Sequence, residues 1–269
     1  MAESPAKGTG DVGGSIAWDD VSVAFGSNQV LDGVSLSFSS GFNGLIGPNG
    51  AGKTTCFNVA SGFVAPSSGQ VRLNGTDVRG LSAVKRSRAG LARTFQTPRL
   101  VLEMTVLENV LVGTERQHRA GHVREVLSFP RARREARELA DMSMDLLRRF
   151  GLEGAAGQRA GSLSLGSQKL VEVARALATQ STVLLLDEPA AGLSASDTSA
   201  MVDGLHQLVE GTSLCVVIVE HDLQLIMSLC SSVAVLDFGR IISQGTPEMI
   251  LQDKAVVDAY LGAGFATGD

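Results

Sequence analysis

Apolar and polar residues alternate along the first part of the chain and give way to continuous apolar runs further on. Between Ile16 and Phe38 the alternation is interrupted by Gly26, Ser27 and Asn28, which predicts antiparallel strands joined by a turn. The later runs TVLLLD and SLCVVIVE are apolar throughout and are separated by segments of helical spacing. Strands of this kind are typical of a parallel sheet covered on both faces, so the pattern predicts an α/β fold.

Helical spacing also fills the middle of the chain and predicts a helical subdomain at about 100–178. Thr105 is a suitable N-cap, Pro130 precedes a long amphipathic helix, and Gly151 is a suitable stop for it. Two further helices are predicted at about 167–179 and 195–209. The segments VAVLDFG and RIISQG predict a hairpin before two short closing helices. We therefore expect a mainly parallel core sheet, an antiparallel β-layer and this helical subdomain.

The length of the chain is that of one large domain. With 269 residues, 44% of them apolar, it can bury a core without disulfides or metals. We expect this domain at 16–262, between a disordered N-terminal tail at 1–15 and a short C-terminal tail at 263–269. The apolar runs are far shorter than the roughly 20 residues of a membrane span, so the chain is not expected to cross a bilayer by itself.

Cysteine content and charge narrow the class of protein. The odd set of Cys56, Cys215 and Cys230, with no C-x-x-C pair, indicates neither a disulfide framework nor a zinc site and favours a reducing cytoplasm. A net charge of -5 argues against nucleic acid as a partner, because such binding depends on cationic contacts with phosphates. Two basic stretches, 79–99 and 116–149, are predicted to be solvated helix faces, with a partner or lipid headgroups as the alternative contact.

A phosphate-binding loop is the strongest chemical signal in the sequence. The segment GPNGAGKT fits the pattern G-x-x-x-x-G-K-[ST] and lies between a short strand and a helical segment. Lys53 is expected to reach the β and γ phosphates of a nucleotide, and the Thr54 hydroxyl is expected to bind Mg²⁺. A Gly-rich turn with an exposed lysine is the weaker alternative, given the flanks. The residues predicted to bind the nucleotide here are Gly47, Asn49, Gly50, Ala51, Gly52, Lys53, Thr54 and Thr55.

Two carboxylates and a histidine follow the buried strands. Asp187 and Glu188 end the run TVLLLDE, at the sheet edge where ligands of parallel sheets bind. Asp187 is suited to Mg²⁺, and Glu188 is suited to orient and deprotonate an attacking water. His221 follows the next buried strand and can donate to the γ-phosphate or to that water. Solvated turn acids and a structural histidine are the alternatives for these residues taken singly.

Two weaker signals complete the candidate site. Gln96 ends the segment LARTFQ and can offer its amide oxygen to Mg²⁺ or to the water. The segment LSLGS opens a helix and places Ser164 and Gly166 at its N-terminus, where backbone N–H groups favour an anion. An ordinary capped helix is the alternative for this second segment.

The chain resembles the ATPase subunits of ABC transporters over roughly residues 16–262. The resemblance is carried by five features in this order: GPNGAGKT, Gln96, LSLGS, LLLDEP and His221. The resemblance implies a P-loop NTPase fold in which Phe25 stacks on adenine. It also implies that Ser164 and Gly166 bind the γ-phosphate held by an opposing subunit, so that two chains enclose two ATP molecules head to tail.

The segments TFQTPRL, EMTVLENVLVG, DEPAAGL and AYLG most resemble the subfamily that serves branched-chain amino acid uptake. That resemblance implies a second ATPase subunit, here a non-identical paralogue, two transmembrane permease subunits and, indirectly, a solute-binding protein. It also implies a place at the inner face of the cell membrane.

The chain departs from the family pattern at two positions. The segment LSLGS corresponds to the signature segment of the family, and Ser167 stands where that segment usually has Gln. Ser194 stands where the family usually has Asp or Asn after the carboxylates. Both departures concern segments that act between subunits. An ABC ATPase without a transport role is the alternative function, although the long coiled coil of repair members and the tandem domains of translation members are not evident.

Overall fold

The computed structural model describes residues 13–117 and 129–265. Residues 1–12, 118–128 and 266–269 lie outside this description, and with them most of both predicted tails and part of the second basic stretch. Within the described residues, no helix has both the length and the apolar character needed to span a membrane.

An antiparallel layer forms one side of the fold, as the alternating pattern predicts. Its strands are β1 (Ile16–Phe25), β2 (Asn28–Phe38), β4 (Ser68–Leu73) and β5 (Thr76–Asp77), paired in the order β2-β1-β4-β5. Trp18 is fully buried in this layer, edge to face with Phe38. Its indole N–H donates to the carbonyl of Cys56 at 3.1 Å and so connects the layer with the helix after the phosphate loop.

The core sheet is parallel except at one edge. It contains β3 (Gly41–Ile46), β6 (Leu91–Arg93), β7 (Val183–Asp187), β8 (Cys215–Val219), β9 (Ser232–Asp237) and β10 (Arg240–Gly245). The order is β10-β9-β3-β8-β7-β6, and β10 runs antiparallel to β9, which confirms the predicted hairpin. The parallel register brings the carboxyl ends of β3, β7 and β8 to one edge.

The helices cover the sheets, and all of those described were predicted from the sequence except the short ones at Ala83–Arg88 and Leu223–Leu229. The helices are α1 (Lys53–Ser61), α2 (Ala83–Arg88), α3 (Val106–Gly113), α4 (Phe129–Arg149), α5 (Leu165–Ala178), α6 (Ala195–Val209), α7 (Leu223–Leu229), α8 (Pro247–Gln252) and α9 (Lys254–Phe265). Thr105 caps α3 in a reciprocal capping box with Glu108. Helix α5 begins two residues before the predicted start because Ser164 caps it, accepting from the Ser167 N–H.

Two hydrophobic cores lie on the two faces of the core sheet. Along β7, Val183 and Leu185 belong to the core shared with the antiparallel layer and α1. Leu184 and Leu186 belong to the core shared with α3 to α9. Because successive side chains of a strand point to opposite faces, a continuous apolar run serves both cores.

The interpretation of residues 79–99 as a solvated basic face is wrong for two arginines. Arg86 is 4% exposed, and its guanidinium donates to the carbonyls of Val59 and Ala60. These carbonyls belong to the last turn of α1, the end of the helix that attracts positive charge. The Arg93 side chain is buried against Asp187, whereas Lys85 is exposed as predicted.

Candidate active site

The phosphate loop lies between β3 and α1 in a conformation that requires glycine. Gly47 has φ 152°, and a Cβ there would lie 1.9 Å from the Leu236 carbonyl oxygen. Gly52 has φ 107°, and a Cβ there would lie 2.7 Å from the Leu31 side chain. Gly52 is also the N-cap of α1 and offers no side-chain acceptor, so the first N–H groups of α1 suit an anion.

Lys53 is held over this loop. Its Nζ donates to the carbonyl of Gly47 at 2.6 Å and to that of Pro48 at 2.9 Å. Burial lowers the pKa of Lys53, and the negative charges of Glu188 and Asp187 act in the opposite direction. The ammonium therefore lies within reach of both the loop and the two carboxylates at the carboxyl end of β7, where the phosphates of ATP are expected.

Glu188 is fixed between two other predicted site residues. Its Oε1 lies 2.7 Å from His221 Nε2, and its Oε2 accepts from Gln96 Nε2 at 2.8 Å. These residues come from three separate segments, brought together because β7 and β8 end side by side with Asp187 opposite Val219. The Glu188 side chain is 14% exposed, so it is screened from bulk water without being sealed off.

The backbone at Glu188 has an unusual conformation. Its φ of 49° lies in the left-handed region, which costs a residue with a side chain on the order of 1–3 kcal/mol. The conformation is stabilised by the Glu188 N–H, which donates to Val219 O at 2.8 Å. Lys169 holds the turn from the other side, since its Nζ donates to the carbonyls of Glu188 and Ala191.

The residues predicted to bind Mg²⁺ offer a suitable set of donors. Asp187 is 5% exposed and contributes a carboxylate, Thr54 a hydroxyl and Gln96 an amide oxygen. Among the described residues, no cluster of three or more His, Cys, Asp or Glu side chains could hold a metal alone. Because Mg²⁺ usually takes one or two carboxylates together with substrate phosphates, this set fits a cation that arrives with the nucleotide.

Two polar residues of the site, Lys169 and Glu220, were not predicted from the sequence. Lys169 lies on the buried side of α5, and Glu220 directly precedes His221. Glu220 is 4% exposed and accepts from the N–H groups of Ala190 and His221, while burial raises its pKa. The adjacency of Glu220 to His221 at a strand end is the one clue that could have identified it.

Ser164 and Gly166 lie at the start of α5, apart from this cluster. The Ser164 hydroxyl accepts from the Ser167 N–H at 3.1 Å and donates to the Ser167 hydroxyl, so its bonds stay within the first turn. Ser164 is exposed, and Gly166 is buried where a Cβ would meet Leu193 at 3.2 Å. The structure thus does not join the signature segment to the chain's own phosphate loop.

Phe25 ends β1 with its side chain 54% exposed, on a hairpin whose second strand packs against Gly52. We predict that Phe25→Ala weakens ATP binding about tenfold, because stacking of a base on an aromatic ring contributes about 1–3 kcal/mol. Affinity for inorganic triphosphate should stay unchanged. Both can be measured by titration calorimetry, with Phe238→Ala, which removes another exposed ring, as the control. If only the Phe238→Ala control lost ATP affinity, adenine stacking would have to be assigned to Phe238 and not to Phe25.

The phosphate loop precedes a helix, and its lysine is buried. Glu188 is held by two hydrogen bonds at the carboxyl edge of the same parallel sheet. This arrangement is that of a P-loop nucleoside triphosphatase.

The comparisons with known proteins specify the family. The chain matches the family described as ABC transporter over residues 31–191, and the one described as branched-chain amino acid ATP-binding cassette transporter over residues 240–266. It therefore belongs to the ATP-binding subunits of ABC transporters, and the resemblance and fold predicted from the sequence are confirmed. Members of this family bind and hydrolyse ATP to drive transport.

Similar proteins span nearly the whole chain. It is 37% identical over 243 residues to the high-affinity branched-chain amino acid transport ATP-binding protein BraF of Pseudomonas aeruginosa, covering 90% of this chain and 95% of that protein. It is 38% identical over 239 residues to the corresponding protein LivG of Escherichia coli K12, covering 88% and 94%. A crystal structure of a nucleotide-free ATP-binding cassette from an ABC transporter is 30% identical with a TM-score of 0.77, covering 92% of this chain and 98% of that one.

Proposed function

We propose that this chain supplies the energy of Mg²⁺-ATP hydrolysis to an importer of branched-chain or related amino acids. The observation that carries the proposal is Glu188, whose two carboxylate oxygens are held by His221 and Gln96 at the edge of the sheet that bears the phosphate loop. A base fixed in this way suits the deprotonation of water. The substrate class is supported by the match of residues 240–266 and by the names of the similar proteins.

Each site residue has a role in this reaction. Lys53 exchanges its two carbonyl contacts for the β and γ phosphates, and the loop and α1 supply N–H groups. Glu188 accepts the proton of the attacking water. His221 holds Glu188 through Nε2 before ATP binds and then donates from that nitrogen to the γ-phosphate. Mg²⁺, held by Thr54, Gln96 and Asp187, would neutralise charge on the phosphates.

The chain is proposed to act with a second, non-identical ATPase subunit. Ser164 is exposed at the N-terminus of α5 and has no bond to the chain's own loop, which suits contact with a γ-phosphate held by another subunit. The two departures from the family pattern have local uses. Ser167 bonds with Ser164, and Ser194 caps α6 by accepting from the Asp197 N–H. A partner with the usual residues would complement them.

An apolar groove is the proposed docking site for the permease subunits. Its volume is about 380 Å³, and it lies between α1, α2, α3, α5 and β6. Phe63 is 58% exposed, Val84 61% and Val112 46%, so a contiguous apolar surface is presented to a partner. Phe95 lines the groove, and the next residue, Gln96, contacts Glu188. The groove and the candidate active site are therefore adjacent. Docking there would hold the chain at the inner face of the cell membrane.

Co-expression with two permeases, a second ATPase and a solute-binding protein tests the proposal. We expect one copy of this chain per complex by native mass spectrometry, and ATP-dependent leucine uptake in proteoliposomes. The purified chain alone should turn over slowly, because each site needs the signature segment of a partner. Two copies of this chain per complex would exclude the non-identical pair. ATP hydrolysis that does not respond to any amino acid would favour the non-transport alternative.

A further inference from the structure

A buried ion pair lies behind the catalytic edge. Arg93, at the end of β6, donates from Nη2 to Asp187 Oδ2 at 2.8 Å, and both side chains are 6% exposed. The other terminal nitrogen of Arg93 donates to Asn58 Oδ1 at 2.8 Å and contacts Ser61 Oγ at 3.3 Å. Arg93 therefore connects the carboxylate at the end of β7 with the body of α1, the helix that begins at the phosphate loop.

Two aromatic rings enclose the Arg93 guanidinium. Its central carbon lies 5.5 Å from the ring centre of Phe57 and 5.1 Å from that of Phe95, within the range of cation–π attraction. Phe95 in turn meets Phe63 edge to face, with ring centres 5.8 Å apart. Phe63, Phe95 and Arg93 all line the apolar groove. A continuous series of contacts thus leads from the groove surface to the Asp187 carboxylate.

Stability alone does not account for this arrangement. Arg93 Nε is buried and has no hydrogen-bond partner among the residues that the structure describes, which is unfavourable for a cationic donor. Buried ion pairs are often no more stabilising than apolar residues of similar volume. The arginine therefore suggests a function in orienting the carboxylate to which it is bonded.

We propose that Arg93 is a positioning residue that fixes the Asp187 carboxylate for the nucleotide-bound cation and transmits occupancy of the groove to that carboxylate. This rests on the proposed Mg²⁺-ATP chemistry. By engaging Oδ2, Arg93 leaves Oδ1 for the cation. Lys53 is a second cation whose charge interacts with Asp187, so without Arg93 the carboxylate can turn toward Lys53 and away from the metal. A partner pressing on Phe63 and Phe95 would shift the guanidinium and with it Asp187.

Arg93→Met tests the positioning role in the full chain. Mn²⁺ serves as the probe, and its binding to the chain with a non-hydrolysable ATP analogue is measured by electron paramagnetic resonance. We expect Mn²⁺ affinity to fall about tenfold, as is typical when a residue that orients a metal ligand is removed. Binding of the analogue in EDTA should stay within about twofold, because the phosphate loop is intact. A merely structural role would change both measurements together or neither.

Arg86→Met is the matched control. Arg86 is also a buried arginine of the same basic stretch, but within the described part of the chain its guanidinium donates hydrogen bonds only to backbone carbonyls and to no carboxylate. It should leave the Mn²⁺ affinity unchanged, and Arg93→Met should not. Equal Mn²⁺ affinities for wild type and a folded Arg93→Met would overturn the positioning role alone. Failure of the wild type to bind Mn²⁺ with the nucleotide would overturn the proposed chemistry itself.

Phe95→Leu tests the connection with the groove and serves if Arg93→Met does not fold. It removes the ring contacts with Arg93 and Phe63 but keeps an apolar side chain. We expect a loss of Mn²⁺ affinity of about tenfold, the lower end of the range for residues that support a metal ligand, with unchanged metal-free nucleotide binding. Wild-type Mn²⁺ affinity in this variant would overturn the transmission from the groove.

Discussion

Glu188→Gln is expected to lower the turnover of the assembled complex by about 10²- to 10⁴-fold while ATP still binds, because a positioned general base contributes that much to rate. Glutamine keeps the volume of the side chain and can still contact His221 and Gln96. It cannot accept the proton of the attacking water. Binding and hydrolysis should therefore separate in this variant.

Phosphate release and equilibrium binding of ATP, measured on the same preparation, test this expectation. Glu210→Gln is the control, since Glu210 is exposed beyond the end of α6 and the change in charge is the same. Turnover near the wild-type level in Glu188→Gln would remove Glu188 from the role of base. Loss of ATP binding together with turnover would point instead to a folding defect at the strained turn.

Lys53→Ala is expected to weaken ATP binding about 10- to 100-fold. Hydrogen bonds from a charged donor contribute about 1.5–3 kcal/mol, and about 1.4 kcal/mol corresponds to a tenfold change in affinity. The loss should fall on the triphosphate, so adenosine affinity should change little. Lys85→Ala is the control because Lys85 is an exposed lysine outside the loop. Equal ATP affinity in Lys53→Ala and wild type, by fluorescence titration, would contradict the assigned contact.

Much of the fold follows from local patterns. The continuous run at β7 predicts a strand buried on both faces, and the structure divides its residues between two cores. Helix α6 has the predicted bounds Ala195–Val209, and in the structure Ser194 caps its N-terminus. These features depend on residues close together in one helix or strand. The spacing of apolar and polar residues along the sequence therefore predicts them.

Features that depend on distant partners were not predictable. The basic stretch 79–99 shows the charges of Arg86 and Arg93 but not the carbonyls and the carboxylate that they meet. Asp187 is 94 positions from Arg93, and only the pairing of β6 with β7 brings them together. Solvent-exposed arginines and buried arginines that bond to carbonyls or carboxylates therefore look alike in the sequence.

The sequence suggested some residues of the candidate site, but not Lys169 or Glu220, and not the atoms through which the residues contact one another. Glu188 and His221 each follow a buried parallel strand, so they were expected at the same edge of the sheet. Their contact at 2.7 Å agrees with that expectation. The amide of Gln96 was expected to use its oxygen, yet in the structure its nitrogen donates to Glu188. That bond leaves the amide oxygen as the atom suited to a cation. Which atom faces which partner depends on the loop after β6, whose path no local pattern sets.

Trp18 gives the chain a built-in optical reporter. It is the sole tryptophan of the sequence, and its indole is bonded to the Cys56 carbonyl, three residues after Lys53. Indole emission responds to the polarity and hydrogen bonding of its surroundings, so a shift of α1 changes the colour and intensity of the emitted light. The intrinsic fluorescence of the unlabelled chain therefore reads out movement at one known place, beside the phosphate loop.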